Sequence, residues 1–218
     1  MSIGQLFAAG GIVMWPLMVS SVLAIALIAE RLRFWYRVNR RQKRFLREVI
    51  DLYRREPELI VPKLNQYIDL PMARIFLAAV QLDEPNPEEF RLGLESEAQA
   101  EIPLLKRFTV IFETIIALAP LLGLLGTILG LITTFSSLEI GSIGGSQTTG
   151  VTAGISEALV STATGMIVAI VVLVFANLFR GLYQRQVALI QEYGGQLELV
   201  YRHRFENDRS PVFSGRAR

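Results

Sequence analysis

Two stretches decide the fold. Residues 119–135 read "APLLGLLGTILGLITTF" and residues 154–170 read "GISEALVSTATGMIVAI". Both are apolar enough for a lipid-facing helix, yet each carries small and hydroxylated residues at helical spacing. In the first, Ala119, Gly123, Gly126, Thr127, Gly130 and Thr134 recur at steps of three or four, and Gly126 and Gly130 form a GxxxG pair. In the second, Ala158, Thr162, Gly165, Ala169 and Ala176 form one such stripe, and Gly154, Glu157, Ser161 and Thr164 form another. Helices in lipid associate by close backbone approach and interhelical hydrogen bonds, so these stripes predict protein-facing surfaces. Two stripes on one helix predict neighbours on two sides, and hence an oligomer.

The rest of the chain supports a membrane reading. It has 218 residues, 51% hydrophobic and 19% charged, more apolar than a typical soluble domain. Three segments could each cross a hydrocarbon core of ~30 Å, which takes roughly 20 helical residues. They are 11–29, a stretch within 108–138 where Glu113 is the one charge, and 158–179, which has none. The first lacks a basic leader and runs too long for a signal peptide, so it is expected to be retained. With no cysteine, disulfides and thiolate metal sites are excluded.

Charge placement predicts the topology. None of the 22 Lys and Arg residues lies in 1–30 or 108–179; fifteen fall in 31–107 and seven in 180–218. The positive-inside rule puts the N-terminus outside and both basic blocks in the cytoplasm. The expected divisions are 1–30 with the first span, a cytoplasmic insertion over 31–107, a second span over 108–135, an outer turn over 136–150, a third span over 151–180 and a cytoplasmic extension over 181–218. Within the insertion, Phe45, Val49, Leu52 and Tyr53 have helical spacing, and a further helix is expected over 71–82. Another opens with Asn86 as cap, Pro87 at the first position and Glu88 and Glu89 at the positive end, and is expected to run straight into the second span despite Pro103. After the third span, Leu182, Val187, Ile190, Leu197 and Val200 continue the helix, and a disordered tail is expected beyond Asn207. The predicted fold is an all-α integral membrane protein with three transmembrane helices, two of them extended into a cytoplasmic helical bundle.

Depth follows from counting at ~1.5 Å per residue. Thr127 lies 20 residues beyond Arg107 and Thr162 lies 18 residues before Arg180, so the two hydroxyls fall within about one turn of the same level. Glu157, 23 residues before Arg180, falls ~7 Å further out than Thr162. An intramembrane acid is functional by default, whereas at a helix start it would only complement the dipole. Glu113 reads as a structural or snorkelling residue with no obvious partner. His203 alone cannot form a metal site, and the basic run 37–47 is explained by topology and anionic lipid, not nucleic acid. An intramembrane hydrolase is disfavoured because 108–179 contains neither His nor Asp.

"APLLGLLGTILG" followed by "GISEALVSTATG" resembles the paired signature of the MotA/TolQ/ExbB proton-channel family, and "GGIVMWPL" with "AERL" near the first span resembles its ExbB and TolQ branch. The resemblance implies a ring of subunits, typically five, in a bacterial inner membrane around single-span ExbD- or TolR-like partner helices. The partner's intramembrane Asp would exchange protons facing a ring of threonines, here Thr127 and Thr162, and a TonB- or TolA-like protein would receive the work. Glu157 matches the family's third-span glutamate, Pro120 its second-span proline and Asn177 a polar position near the inner end of the third span. Gly123, Gly126, Gly130, Thr134, Ala158, Ser161 and Gly165 would line the pore or pack helices. Ala117 and Leu118 depart from relatives that have hydroxyls there. No cofactor is implied. A MotA-like stator subunit, which has a fourth span, and a non-conducting oligomeric scaffold are the alternatives.

Overall fold

A computed structural model describes residues 10–140 and 147–209. Among the described residues every regular element is helical. These are α1 (Met14–Arg55), a 3-10 turn (Pro57–Leu59), α2 (Ile60–Asn65), α3 (Pro71–Val80), α4 (Pro87–Leu105), α5 (Thr109–Ile140) and α6 (Gln147–Arg209). The chain divides into two compact units. One holds the described residues up to Arg31 with Phe108–Arg180, and the other holds Leu32–Arg107 with the described residues from Gly181 onwards.

In the first unit, the start of α1 packs against α5 and α6 through Val13, Met14, Leu17, Ala119 and Ala169, flanked by Leu122, Leu129 and Val168. The opposite faces are apolar and open: Val22, Ile25, Val110, Leu121, Phe135, Ile167 and Val174 are all exposed. A surface of that character needs lipid or other helices against it. The stretches of α5 and α6 in this unit are long and apolar enough to cross a membrane. The uncharged part of α1, Met14 to Ala29, covers ~24 Å as a helix, somewhat less than a hydrocarbon core. Glu113 does have a partner, contrary to the sequence expectation: Arg180 Nη2 lies 3.3 Å from its Oε1. Both side chains are exposed, so the pair orients charges more than it stabilises the fold.

The second unit is organised around the stripe Trp35, Val38, Gln42, Phe45, Val49 and Tyr53 of α1, all buried. Such steps of three and four set one helical face inward. Met72, Ile75 and Phe76 of α3, Phe90 of α4 and Leu197 of α6 are among the fully buried side chains. The start of α4 follows from its sequence: Asn86 Oδ1 accepts from the backbone N–H groups of Glu88 and Glu89, and the Glu89 carboxylate accepts from the Asn86 N–H at 2.8 Å. That reciprocal box satisfies donors every helix start leaves open. Phe90 then stacks between Tyr53 and Tyr201, with ring centroids at 6.5 and 4.2 Å. Arg74 of α3 donates Nη2 to Glu101 Oε2 of α4 at 2.6 Å and Nη1 to the Ile68 carbonyl at 2.8 Å. Glu101 is 3% exposed, so its charge is tolerated only because the guanidinium faces it. The same pairing holds the Arg74 pKa above its usual value.

Other boundaries differ from expectation. The helix beginning at Pro87 does not run straight into the second span: α4 ends at Leu105, and α5 begins at Thr109 after a turn in which Phe108 has φ +69°. Pro103 has no N–H to bond back within α4, and the left-handed Phe108 interrupts the helical backbone a turn later. The Arg31 guanidinium sits 5.4 Å from the Phe108 ring centroid, a cation–π contact at the start of the apolar helix. Helical structure also reaches further into the expected 136–150 turn than the sequence indicated, with α5 continuing to Ile140 and α6 starting at Gln147. The proposed disordered tail falls largely outside the described residues, and α6 itself continues to Arg209.

Arg74→Ala should leave the buried Glu101 carboxylate without its cation and destabilise the second unit by about 3–5 kcal/mol, read by chemical unfolding in detergent. Arg74→Ala with Glu101→Leu should recover much of that loss. Burial, aided by the neighbouring Tyr201 phenol, pushes the Tyr53 pKa up to about 12 against the opposing Arg204. The folded state thus holds this proton more tightly than the unfolded chain. The stabilisation is complete below about pH 10 and is lost as pH rises from there towards 12. Tyr53→Phe should remove that portion of the alkaline unfolding curve, measured by circular dichroism across the same range.

Candidate functional site

The two opening stretches meet face to face. A methyl group on Gly130 would fall 2.6 Å from the Gly154 carbonyl oxygen and 2.9 Å from the Ala158 nitrogen. One on Gly123 would lie 3.0 Å from both the Ser161 carbonyl oxygen and the Thr162 Cα. Methyl groups on Gly126, Gly154 and Gly165 would overlap Ser161 Oγ, Thr134 Oγ1 and the Ala119 carbonyl oxygen respectively. Five glycines thus let two backbones approach at a separation no side chain permits. The contacts run antiparallel, from Ala119 against Gly165 to Gly130 against Gly154.

This pairing corrects the division of α6 into two small-residue faces. Its buried side combines members of both stripes: Gly154, Ala158, Ser161, Gly165 and Ala169. The partner of that side is α5 of the same chain. Gly123, Gly126, Gly130 and Thr134 are buried on α5, Pro120 is half-buried and Asn177 is exposed. Ser161, fully buried, donates to the Ala158 carbonyl at 3.0 Å and approaches the Gly123 carbonyl at 3.4 Å. Thr134 donates to the Gly130 carbonyl at 2.9 Å.

The three residues singled out for proton chemistry lie along the same pair. Thr162 is half-buried and donates across to the Gly123 carbonyl at 3.0 Å. Thr127, one turn along α5 from Gly123 and also half-buried, donates to the Leu124 carbonyl at 2.6 Å. Each hydroxyl spends its hydrogen on a carbonyl, so its oxygen lone pairs remain as acceptors. The register places Glu157 in the band between the Gly126–Ser161 and Gly130–Gly154 contacts, the band that also contains Thr127.

Glu157 has a neighbour that sequence reasoning missed. Its carboxylate packs against Gly11, where a Cβ would overlap Oε1 and where φ is +69°. Glycine alone adopts that backbone readily. The signal available beforehand was the Gly10-Gly11 dipeptide ahead of the first helix, which reads as a helix-entry turn without indicating what it faces. Among the described residues no group of three or more His, Cys, Asp or Glu side chains could hold a metal ion.

Apolar helices locked through glycines, with hydroxyls along their seam, are the packing of a helical membrane protein. Residues 67–192 match the MotA/TolQ/ExbB proton channel family, and the chain belongs to it. It is 59% identical over 194 residues to biopolymer transport protein ExbB-like 3 of Synechocystis sp. (strain ATCC 27184 / PCC 6803 / Kazusa), covering 89% of this chain and 92% of that one. To ExbB-like 1 of the same organism it is 39% identical over 207 residues, covering 94% and 82%. A shorter match, 44% over 78 residues, covers 36% of this chain and 51% of biopolymer transport protein ExbB of Aquifex aeolicus (strain VF5).

Gly165→Ala should press a methyl into the Ala119 backbone and cost about 1–3 kcal/mol, lowering the thermal transition in detergent. Gly194→Ala is the control. Nothing lies within 4 Å of the position its Cβ would take. As a helix-interior substitution it should stabilise by about 0.5–1 kcal/mol.

Proposed function

We propose that the chain is the proton-channel subunit of an ExbB/TolQ-like energy-transducing complex in a bacterial inner membrane. In this reading the first unit is embedded in the membrane as three crossings. The second unit is cytoplasmic and the N-terminus periplasmic. Copies, typically five, form a ring around an ExbD- or TolR-like single-span partner carrying an intramembrane Asp, and a TonB- or TolA-like protein receives the work. The charge distribution supports this orientation, and the first unit's exposed apolar surface supports contact with lipid and neighbouring copies.

The observation that carries the mechanism is the hydrogen bonding of Thr127 and Thr162. With their hydrogens committed to backbone carbonyls, both oxygens offer acceptors to a group that donates. A protonated Asp on a guest helix donates one hydrogen bond; the ionised form donates none and is disfavoured there. The seam thus favours the protonated, neutral partner and suits a cycle in which protonation precedes movement. One charge crossing ~100 mV releases ~2.3 kcal/mol, enough to bias a step between near-equivalent positions by about fiftyfold. Glu157, in the same band, would gather protons at the outer side.

Thr127→Val with Thr162→Val keeps the side-chain volume and should abolish proton-driven activity of the assembled complex while the ring still assembles. Retained coupling would remove both hydroxyls from the pathway. In the same assay, full activity in Glu157→Gln would leave Glu157 a structural neighbour of Gly11. A ring that assembles normally yet conducts no protons with its Asp-bearing partner would favour the non-conducting scaffold.

A further inference from the structure

Gly11 is confined from two directions. Towards α6, the three heavy atoms nearest to a Cβ built on it all belong to Glu157: the carboxyl carbon at 2.6 Å, Cγ at 3.2 Å and Oε1, which would overlap it. The end of the acid therefore lies across the face where any other residue would carry its side chain. Towards α1 there is no slack. The Met14 N–H donates to the Gly11 carbonyl at 3.2 Å and closes the turn that starts the helix. Val13, Met14 and Leu17 follow at once and are buried in the core that includes Ala119 and Ala169. Val13 Cβ stands 3.7 Å from where a Cβ on Gly126 would be, so this entry is packed on the α5–α6 seam itself.

Backbone and contact make separate demands on the residue at this position. The φ of +69° restricts the choice to residues that accept a left-handed backbone, among which asparagine and aspartate follow glycine. The overlap is stricter, because every residue except glycine has a Cβ. With its carbonyl engaged and its successors buried, Gly11 cannot retreat. Glu157 is the party that must move, since a half-buried carboxylate on a flexible stem is displaced more easily than a packed turn.

We propose, on the basis of the proton-gathering role given above to Glu157, that Gly11 is its positioning residue. The missing Cβ leaves the space in which the carboxylate is held in the band of Thr127. The demand for glycine at this turn then comes from the acid as well as from the backbone.

The full-length chain is reconstituted in liposomes with its Asp-bearing single-span partner. Proton flux is driven by a potassium diffusion potential and read with an entrapped pH dye, and assembly is followed by size exclusion. Gly11→Ala should lower the flux by about tenfold or more while the complex still assembles. Gly11→Asn, which tolerates this φ better, carries the same expectation should Gly11→Ala not fold. Glu157→Asp withdraws the carboxyl by one methylene, so Gly11→Ala with Glu157→Asp should recover most of what Gly11→Ala loses. On a Glu157→Gln background, where flux is already low, Gly11→Ala should lower it no further. A residue needed only for the turn would behave differently, with the same fractional loss on every background and no recovery with Glu157→Asp. That pattern, or wild-type flux from an assembled Gly11→Ala or Gly11→Asn complex, overturns the proposal and leaves the role of Glu157 standing. Wild-type flux in Glu157→Gln fails a step earlier, because it removes the acid itself from the pathway.

Discussion

The close approach of α5 and α6 governs everything else in the first unit. Lipid tails are as apolar as leucine, so burying hydrocarbon gives two membrane helices little reason to associate. What remains is dispersion between backbones and hydrogen bonding between polar groups, and both fall steeply with distance. Glycines at 123, 126, 130, 154 and 165 remove the side chains that would hold the helices apart. Only at that separation can the Thr162 hydroxyl reach the Gly123 carbonyl on the other helix. The glycines set the spacing and the hydroxyls fix the register. A single added methyl along this line disturbs the placement of every polar group beside it.

The second unit is held by different means. Its interior is a conventional aromatic and aliphatic core, with Phe45, Phe76 and Phe90 fully buried. Directional contacts then select one arrangement of short helices: the Asn86–Glu89 box starts α4, and the Arg74–Glu101 pair ties α3 to it. The exposed ion pairs, such as Arg91 with Glu88 and Glu95, contribute far less to stability. Replacing a buried pair like Arg74–Glu101 by well-packed hydrophobes is often nearly neutral, so its retention is better understood as selecting a geometry than as supplying stability.

Much of this was legible in the sequence where a residue's local chemistry leaves few options. The cap at Asn86, the inward stripe of α1 and the protein-facing character of the glycine stripe on α5 follow from spacing alone. What the glycines would face did not, since a small-residue stripe fits a helix of the same chain as well as one of a neighbour. The two stripes of α6 appeared separate because a helical wheel divides residues by angle. A tight antiparallel crossing instead buries Ser161 from one stripe together with Ala158 and Gly165 from the other. The turn at Phe108 was missed because a left-handed phenylalanine is rare and Pro103 alone does not end a helix. The Glu113–Arg180 contact, 67 positions apart in sequence, has no local signature at all.

The position of Glu157 gives the candidate site its asymmetry. On the seam side, the hydroxyls of Thr127 and Thr162 donate to backbone carbonyls and leave their uncharged oxygens with lone pairs to offer. In the band that contains Thr127, Glu157 rests against Gly11, the residue with which the chain turns into α1. Any side chain at Gly11 would displace the carboxylate, so the entry to the first helix and the position of the acid cannot be varied independently. In the proposed mechanism an acid needs such a constraint if it is to hand protons to a guest carboxylate held at a fixed level, since a freely rotating side chain would point elsewhere much of the time. In the proposed mechanism, then, the threonines define where a neutral guest is welcome and the Gly11 turn defines from which side its proton arrives.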